Sequence, residues 1–314
     1  MSAFAGKRPS GYSSIHSGGQ NVLLIIDAQV DFHEGGSLAV SGATGDSERT
    51  AALIDSCTDM FDEIYMTFDT HSKRHIAHAV NWRNKAGERP EPFTSISHEQ
   101  VMAGEWTAVA SSEQPWLPEY AKWYTKQLEA GGRFKLTIWP EHCLMGSPGH
   151  SIHPALFAAT QRWSDRKQKD IVCVLKGQNP LTEMYSAIAA EVPLDDAAVT
   201  SLASAGFKAI HADHNTTLAG HSELVDSLTG FHVKRLVVCG QALSHCVNMT
   251  VRNLVAVVPE VGSKLVLLKD ASSNVYGCDA LGDSFTQSVV DGQGRVLTCA
   301  LLQAELLAEA ELGK

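Results

Sequence analysis

Short runs of apolar and β-branched residues recur along the chain, and most of them end on a polar residue or a glycine. Five clear runs and a weaker final one lie at 22–26, 63–68, 171–175, 235–239, 265–268 and 295–299. The five clear runs do not alternate between apolar and polar positions, so we predict strands that are buried on both faces. The residues that end these five runs are Asp27, Asp69, Lys176, Gly240 and Asp270.

Helical stretches lie between these strands, at 47–60, from Cys246 to about 256, and at 279–290. Strands that alternate with helices predict an α/β fold, a three-layer and doubly wound architecture around a mainly parallel sheet of about six strands. Ligands bind beyond the carboxyl ends of the strands in such sheets. Asp27, Asp69, Lys176 and Cys246 stand at or just past those ends, so we expect them to converge on one site.

The segment from about 82 to 132 breaks this alternation. It contains the proline-rich pieces ERPEPF and EQPWLPEY and three tryptophans, Trp106, Trp116 and Trp123. Its aromatic content indicates ordered structure, and we interpret it as an insertion that packs near the site or at a subunit interface. The domain organisation that we predict is a flexible tail over 1–20 and a single domain over 21–314 that carries this insertion.

Charge and cysteine content exclude several classes of partner. The 314 residues include 25 basic and 35 acidic side chains, a formal net charge of −10, whereas a nucleic-acid partner requires a basic face. The N-terminus lacks the apolar core of a secretory signal, and the apolar runs are too short to span a bilayer. We therefore expect a cytoplasmic protein with neither nucleic acid nor membrane as partner. Seven scattered cysteines without a CxxC pair indicate reduced thiols, not a thiolate zinc site.

Cys246 is the candidate nucleophile. It follows a strand and a short turn in GQALSHCVNMT, where a helix dipole lowers a thiol pKa and backbone N–H groups can hold an oxyanion. Asp27 could take the thiol proton, and Lys176 could balance that carboxylate and stabilise the thiolate. Each residue also has an ordinary explanation: a small buried side chain, a turn cap, and a lysine whose head reaches water.

Histidines near Asp69 form a candidate metal site. The segment DTHSKRH supplies Asp69, His71 and His75, and WPEHC supplies His142. Imidazoles with one carboxylate suit Zn²⁺ or Fe²⁺ better than Mg²⁺ or Ca²⁺. The alternative is chance clustering, because the chain has 14 histidines.

Five separated motifs resemble one family. In chain order they are DAQVDFHEGGSLAVSGA, FDTHSKRH, WPEHCLMGSPGHSIHP, LKGQNPLTEMYSA and GQALSHCV. Together they resemble the nicotinamidase/pyrazinamidase branch of the isochorismatase-like cysteine hydrolases, over about 21–79 and 139–275. The resemblance implies a catalytic triad and a divalent metal, with Zn²⁺ expected and Fe²⁺ or Mn²⁺ as alternatives. The implied triad is Asp27, Lys176 and Cys246, and the implied ligands are Asp69, His71 and His142, with His75 nearby or as an alternate ligand.

The same resemblance implies the reaction, hydrolysis of nicotinamide to nicotinate and ammonia through a thioester on Cys246. It places the oxyanion hole at the N–H groups of Ala242 and Cys246, after a cis bond between Gln241 and Ala242. Aromatic walls around the substrate are implied at Phe32, Trp139 and Tyr185. The partners that we expect are a small amide substrate and further copies of the chain in a homo-oligomer.

Three departures from the family pattern leave the substrate open. Asp69 and His142 are 73 positions apart, a much longer link than is usual in the family. Ser244 stands where many nicotinamidases carry an acidic residue, and the segment after Lys176 contains an unusual Asn-Pro step. The alternative is a related hydrolase of another small amide or ester, with specificity set by the insertion. A non-catalytic protein of the same fold is a third reading, and the lack of GxGxxG after the first strand disfavours dinucleotide binding.

Overall fold

The computed structural model describes residues 19–204, 206–207 and 210–312. The strands are β1 (Gln20–Ile26), β2 (Glu63–Asp69), β3 (Trp82–Asn84), β4 (Ser95–Ile96), β5 (Trp106–Ala108), β6 (Leu136–Thr137), β7 (Val172–Lys176), β8 (Val233–Gly240), β9 (Leu265–Leu268) and β10 (Arg295–Leu297). The helices are α1 (Ala43–Ser56), α2 (His98–Met102), α3 (Leu117–Ala130), α4 (Pro154–Lys167), α5 (Asp196–Ser204), α6 (Ser222–Thr229), α7 (Asn248–Val257), α8 (Asp279–Asp291) and α9 (Cys299–Leu312). The predicted tail over 1–20 lies outside the described residues, apart from its last two positions.

Six strands form one parallel sheet in the order β10-β9-β8-β1-β2-β7. Alternate residues of β1 enter two different cores because successive side chains of a strand point to opposite faces. Leu23 and Ile25 pack in the cluster that contains residues of α1, α4 and α9. Val22, Leu24 and Ile26 pack in the cluster with residues of α6, α7 and α8. The predicted three-layer, doubly wound fold is confirmed.

The strand order reverses beside β1, which creates a crevice at the carboxyl edge of the sheet. From β1 the chain moves outward through β2 to β7, and it then returns to form β8, β9 and β10 on the other side of β1. Gly240 ends β8 with φ +117°, and a Cβ there would lie 2.0 Å from the carbonyl oxygen of Ile26. Only glycine permits this close approach, and it brings the end of β8 against the end of β1.

The expectation that each strand is buried on both faces is wrong for β7. This strand lies at one edge of the sheet and pairs with β2. Its residues alternate in exposure, and Cys173 and Leu175 are exposed, Leu175 at 43%. The apolar run therefore marks a strand without showing how many of its faces are covered.

Two predicted element boundaries also differ from the structure. Helix α1 begins at residue 43 instead of 47, because the Glu34 carboxylate accepts the N–H groups of Gly42 and Thr44 and caps the helix from a distant loop. The last strand stops at Leu297, and Cys299 begins α9 because its N–H donates to the Asp270 carboxylate, 2.8 Å away. Side chains distant in sequence set both boundaries.

The segment 82–132 contributes the strands β3, β4 and β5 and two helices that pack on the sheet domain, and β6 lies just after it. Strand β3 pairs with β5, and β4 pairs with β6. Helix α3 buries Tyr120 and Tyr124, and their hydroxyls contact the chain after β7: Tyr120 donates to the Leu181 carbonyl, and Tyr124 accepts the Glu183 N–H. The segment thus supports a loop at the carboxyl edge of the sheet. Among the described residues, no helix has the length and apolar character needed to cross a bilayer.

Candidate active site

Asp27 stands directly after β1 in a conformation that its neighbour on β2 stabilises. Its φ is +44°, which is unusual for a residue other than glycine. The Thr67 hydroxyl donates to Asp27 Oδ1 and accepts the Asp27 N–H at 3.0 Å. The carboxylate is fully buried. Thr67 therefore fixes both the backbone and the carboxylate of Asp27 at the carboxyl edge.

Lys176 places one ammonium between two carboxylates. Its Nζ lies 2.9 Å from Asp27 Oδ2 and 3.0 Å from Asp69 Oδ1, and it donates to the Met184 carbonyl at 3.1 Å. Burial alone would lower the pKa of Lys176, but the two carboxylates outweigh burial and hold that pKa well above its usual range. The lysine therefore stays charged, and its head is not solvated as the ordinary explanation required.

Cys246 lies within reach of this lysine, with Sγ 3.6 Å from Lys176 Nζ. It belongs to a π-helical turn, Leu243–Val247, that precedes α7. Burial raises the pKa of the Cys246 thiol well above its usual range, although the Lys176 ammonium opposes this rise. Burial of the thiol outweighs the Lys176 ammonium, so the net shift of this pKa is opposite to the lowering expected from a helix terminus. The thiol is neutral at rest and needs a base.

Asp69, His71 and His142 form a compact buried group whose ligand atoms all lie within 4.8 Å of one another. Asp69 Oδ2 is 3.1 Å from His71 Nε2 and 3.2 Å from His142 Nε2. His142 Nδ1 lies 2.8 Å from the Pro140 carbonyl, so a neutral His142 donates from Nδ1 and presents the lone pair of Nε2 to the carboxylate. One carboxylate and two imidazoles within this distance fit a divalent metal.

The turn after β7 is shaped around this group. Gly177 has φ +73°, and a Cβ at this position would lie 2.8 Å from Asp69 Oδ1 and 3.1 Å from the His71 ring. Burial raises the pKa of Asp69, but His71 and Lys176 outweigh burial and hold it well below its usual range. Asp69 is therefore an ionised carboxylate in a protein environment that holds it in place.

His75 lies beside this group without joining it. Its ring centroid is 4.4 Å from that of His71, but its Nδ1 is 3.2 Å from Glu183 Oε1 and its Nε2 is 3.1 Å from the Thr182 carbonyl. Both nitrogens thus face protein oxygens. The structure places His75 nearby, and it does not support the alternative in which His75 is a ligand.

The predicted aromatic walls and oxyanion residues border one cavity. Phe32, Trp139 and Tyr185 line it together with Ala242 and Cys246. The same cavity is also lined by Leu38, Asp69, His71, His142, Glu183, Met184, His245 and Val275. The peptide bond between Gln241 and Ala242 is cis, as the resemblance implies. The cavity therefore joins the thiol, the metal-binding group and the apolar walls.

Comparisons with known proteins point to one group of enzymes. No protein-family model matches the sequence. The chain is 24% identical over 254 residues to the nicotinamidase of Escherichia coli (strain K12), covering 81% of this chain and 83% of that protein. The chain is related to the nicotinamidases. A shorter match, 28% identity over 145 residues, links it to the nicotinamidase of Acinetobacter baylyi and covers 46% of this chain and 48% of that protein.

Solved structures of nicotinamidases share the fold of this chain. A nicotinamidase/pyrazinamidase of Acinetobacter baumanii is 19% identical, with a TM-score of 0.54 over 90% of this chain and 98% of that chain. A yeast nicotinamidase bound to the inhibitor nicotinaldehyde is 18% identical, with a TM-score of 0.54 over 89% of this chain and all of that chain. These structures show a shared fold, and the two curated matches together with them confirm the resemblance to the nicotinamidase branch of the isochorismatase-like hydrolases.

Several residues of this site were not predicted from the sequence. The Gln29 side-chain amide bonds to both backbone groups of Asp69. Gln29 Nε2 donates to the Asp69 carbonyl at 2.8 Å, and Gln29 Oε1 accepts the Asp69 N–H at 2.7 Å. Glu183 accepts from Trp139 Nε1 at 3.0 Å and lines the cavity. The sequence feature that could have indicated these residues is a polar residue within an apolar segment, such as Thr67 in EIYMTFD and Gln29 in IIDAQV.

Proposed function

We propose that this protein is a metal-containing cysteine amidohydrolase that converts nicotinamide to nicotinate and ammonia. One observation carries the proposal: Cys246 Sγ, Lys176 Nζ and Asp27 Oδ2 are connected by distances of 3.6 and 2.9 Å. This connected set borders a cavity that also contains Asp69, His71 and His142. The relation to nicotinamidases supports the amide as substrate.

Asp27 is the general base of this mechanism. Burial raises the pKa of Asp27, partly offset by Lys176, so the carboxylate is a stronger base than an exposed aspartate. Asp27 takes the thiol proton, and Cys246 Sγ attacks the amide carbon and forms a C–S bond. The C–N bond breaks, and the proton on Asp27 leaves with ammonia. Water then attacks the thioester and gives one proton to Asp27. The C–S bond breaks, Asp27 returns that proton to the Cys246 thiolate, and the acid product loses its remaining proton to solvent and leaves as nicotinate.

The remaining residues bind charge and orient the substrate. Lys176 stabilises the thiolate, because its ammonium lies next to Sγ. The N–H groups of Ala242 and Cys246 are the proposed oxyanion hole. Phe32, Trp139 and Tyr185 exclude water around the ring.

Asp69, His71 and His142 are the proposed metal ligands, and His75 is not among them. Zn²⁺ fits one carboxylate and two imidazoles, with Fe²⁺ and Mn²⁺ as alternatives. When bound, the metal supplies a Lewis-acid contact for the ring nitrogen or for a water. Elemental analysis of the purified protein, with the Asp69→Asn variant as comparison, measures the metal content.

The test of the nucleophile is ammonia release from nicotinamide by Cys246→Ala. We expect kcat to fall by about 10³-fold or more, because the acyl carrier is removed. Cys173→Ala is the matched control, because Cys173 is exposed on the edge strand β7 and lies outside the cavity lining. The proposal is wrong if the Cys246→Ala variant folds and keeps its activity.

The second candidate is the hydrolysis of a different small amide or ester. The observation that favours it is the contact between the insertion and the cavity loop, where Tyr124 accepts the Glu183 N–H at 3.0 Å. Just after the insertion, Phe134 packs edge-on against Tyr185, with ring centroids 4.9 Å apart. Turnover of another amide in a substrate panel, without turnover of nicotinamide, would select this candidate.

A further inference from the structure

A buried carboxylate of α1 reaches the turn that carries the proposed oxyanion donors. Asp46 lies in the first turn of α1 and is buried. Its Oδ2 accepts Gln241 Nε2 at 2.8 Å and Ser273 Oγ at 2.6 Å. Gln241 directly precedes Ala242, whose N–H is a proposed oxyanion donor. Asp46 and Gln241 are 195 positions apart, so the tertiary fold brings this carboxylate to the turn.

The backbone around Ala242 is tied to Asp46 on both sides. On the N-terminal side, the Gln241 side chain donates to the carboxylate directly. On the C-terminal side, the Leu243 N–H donates to the Ser273 carbonyl at 2.7 Å, and the hydroxyl of that serine donates to Asp46. Because a peptide group is planar, the backbone on either side of the Ala242 N–H sets its direction.

Loss of this carboxylate would leave the turn without a matching acceptor. An ionised carboxylate only accepts hydrogen bonds, so the Gln241 amide presents its NH₂ group to Asp46. The second carboxylate oxygen, Oδ1, accepts from Arg49 at 2.9 Å, and this guanidinium balances its charge. Gln241 is buried. Without Asp46 its NH₂ group would be buried and unpaired, which is unfavourable and favours a rearranged turn.

We propose that Asp46 is a positioning residue, which acts through Gln241 and Ser273 to direct the Ala242 N–H at the oxyanion that forms during acyl transfer. This inference rests on the proposed amidase function and concerns the same oxyanion hole. Within the described chain, Asp46 lies outside the cavity lining, so its effect must pass through the turn. A misdirected donor weakens binding of the transition state more than binding of the substrate.

The kinetic test compares Asp46→Ala with Asp55→Ala. We expect Asp46→Ala to lower kcat for nicotinamide by roughly 10- to 100-fold with little change in KM, because the substrate walls are retained. Asp55 lies on the same helix and forms an exposed pair with Arg162, so Asp55→Ala should keep the kcat of wild type. An unchanged kcat in Asp46→Ala overturns the inference.

Further variants separate positioning from a loss of folding. Asp46→Asn keeps an oxygen acceptor for Gln241 Nε2 and should recover part of the kcat that Asp46→Ala loses. In a Gln241→Leu background the donor is absent, so Asp46→Ala should cause a smaller additional loss, and equal losses in both backgrounds contradict action through Gln241. If Asp46→Ala does not fold, Gln241→Leu and Ser273→Ala each remove one link, and wild-type kcat in both overturns the inference.

An aldehyde provides a readout that a merely structural role would not move. The Cys246 thiol adds to pyridine-3-carbaldehyde: a C–S bond forms, the thiol proton moves to the carbonyl oxygen, and that oxygen lies where the oxyanion forms. We expect the inhibition constant to rise in Asp46→Ala by the factor by which kcat/KM falls. Calorimetry on Cys246→Ala, with and without Asp46→Ala, should give the same affinity for nicotinamide. A matching loss of nicotinamide affinity indicates general disruption and overturns the inference.

Hydrogen exchange distinguishes a failure of this inference from a failure of the proposed function. In the full chain without substrate, the amides of 240–247 should exchange faster in Asp46→Ala than in wild type or Asp55→Ala, measured by mass spectrometry. If wild type hydrolyses no amide, the proposed function fails, and this exchange still decides whether Asp46 holds the turn. Unchanged exchange over 240–247 overturns the inference.

Discussion

At the scale of single residues, Lys176 supplies the positive charge that contacts both the Asp27 and the Asp69 carboxylates. Replacement by methionine leaves the Asp27 and Asp69 carboxylates facing each other without the ammonium that lies 2.9 and 3.0 Å from them. Breaking a buried ion pair in this way costs about 3–5 kcal/mol. We expect Lys176→Met to lose that much stability in urea unfolding and to abolish ammonia release.

The control for this variant is Lys169→Met, which removes a partly exposed pair with Glu63 at 3.2 Å. Partly exposed pairs contribute about 0–1 kcal/mol, so this variant should unfold close to wild type. Equal losses in the two variants would contradict the role of Lys176.

Thr67 offers a residue-scale test of the base. Its hydrogen bond to Asp27 Oδ1 lowers the pKa of that carboxylate, so Thr67→Val should raise the pKa. Asp27 must be ionised to accept the thiol proton, and the acidic limb of the kcat/KM profile should therefore move to higher pH. We also expect kcat/KM at neutral pH to fall by about 10-fold, the cost of one lost hydrogen bond.

Thr160→Val is a matched control, because Thr160 is buried on α4 and its hydroxyl donates to the Phe157 carbonyl, away from the cavity. Its pH profile should match that of wild type. An unmoved acidic limb in Thr67→Val would argue against Asp27 as the base.

At the scale of elements, the turn after β7 is built around the metal-binding group. A methyl group in Gly177→Ala would lie 2.8 Å from Asp69 Oδ1, so the carboxylate must shift. We expect metal affinity to fall by about 10- to 100-fold, measured by competition with a chelator, because the ligand loses its orientation.

Gly146→Ala is the control that distinguishes the contact with Asp69 from the backbone strain of an alanine at positive φ. Gly146 also has a positive φ, +81°, but a Cβ there meets no atom within 4 Å. The two variants share the unfavourable conformation, and only Gly177→Ala disturbs Asp69. A similar loss of metal in both would attribute the effect to strain alone.

Strand ends were predictable from the sequence, and side-chain networks were not. Asp27, Asp69 and Lys176 could be placed together because the carboxyl ends of parallel strands share one edge. The raised pKa of the Cys246 thiol arises from burial by distant segments, which no local pattern encodes. The position of His75 was equally hidden, because it depends on oxygens of Thr182 and Glu183 from another loop.

At the scale of the whole molecule, the dependence of stability on pH includes a contribution from Glu191. Burial raises the pKa of Glu191 to about 7. The Arg133 guanidinium, 3.5 Å from the Glu191 carboxylate, partly offsets this rise. Because the folded-state pKa lies above the unfolded one, the protonated group stabilises the fold fully below about pH 4.5. This stability is lost as the pH rises through about 7, and the shift corresponds to on the order of 3 kcal/mol.

Glu191→Gln removes this titration. In guanidinium unfolding, wild type should lose stability relative to this variant between pH 5 and pH 8. Glu260→Gln, at an exposed site, should follow wild type throughout. If the unfolding free energies of wild type and Glu191→Gln change in parallel with pH, the pKa of Glu191 is not raised in the folded protein.

The position of β1 at the centre of the sheet has a consequence for synthesis. Its neighbour β8 is far along the chain: Arg235 of β8 donates to the Asn21 side chain of β1, 214 residues earlier. Contacts between residues so distant in sequence slow folding, because closing so long a loop costs conformational entropy before the contact forms. During translation, one edge of β1 is open until most of the protein has left the ribosome. Asp27, the proposed base after β1, therefore meets the end of β8 and the proposed nucleophile Cys246 only late in folding.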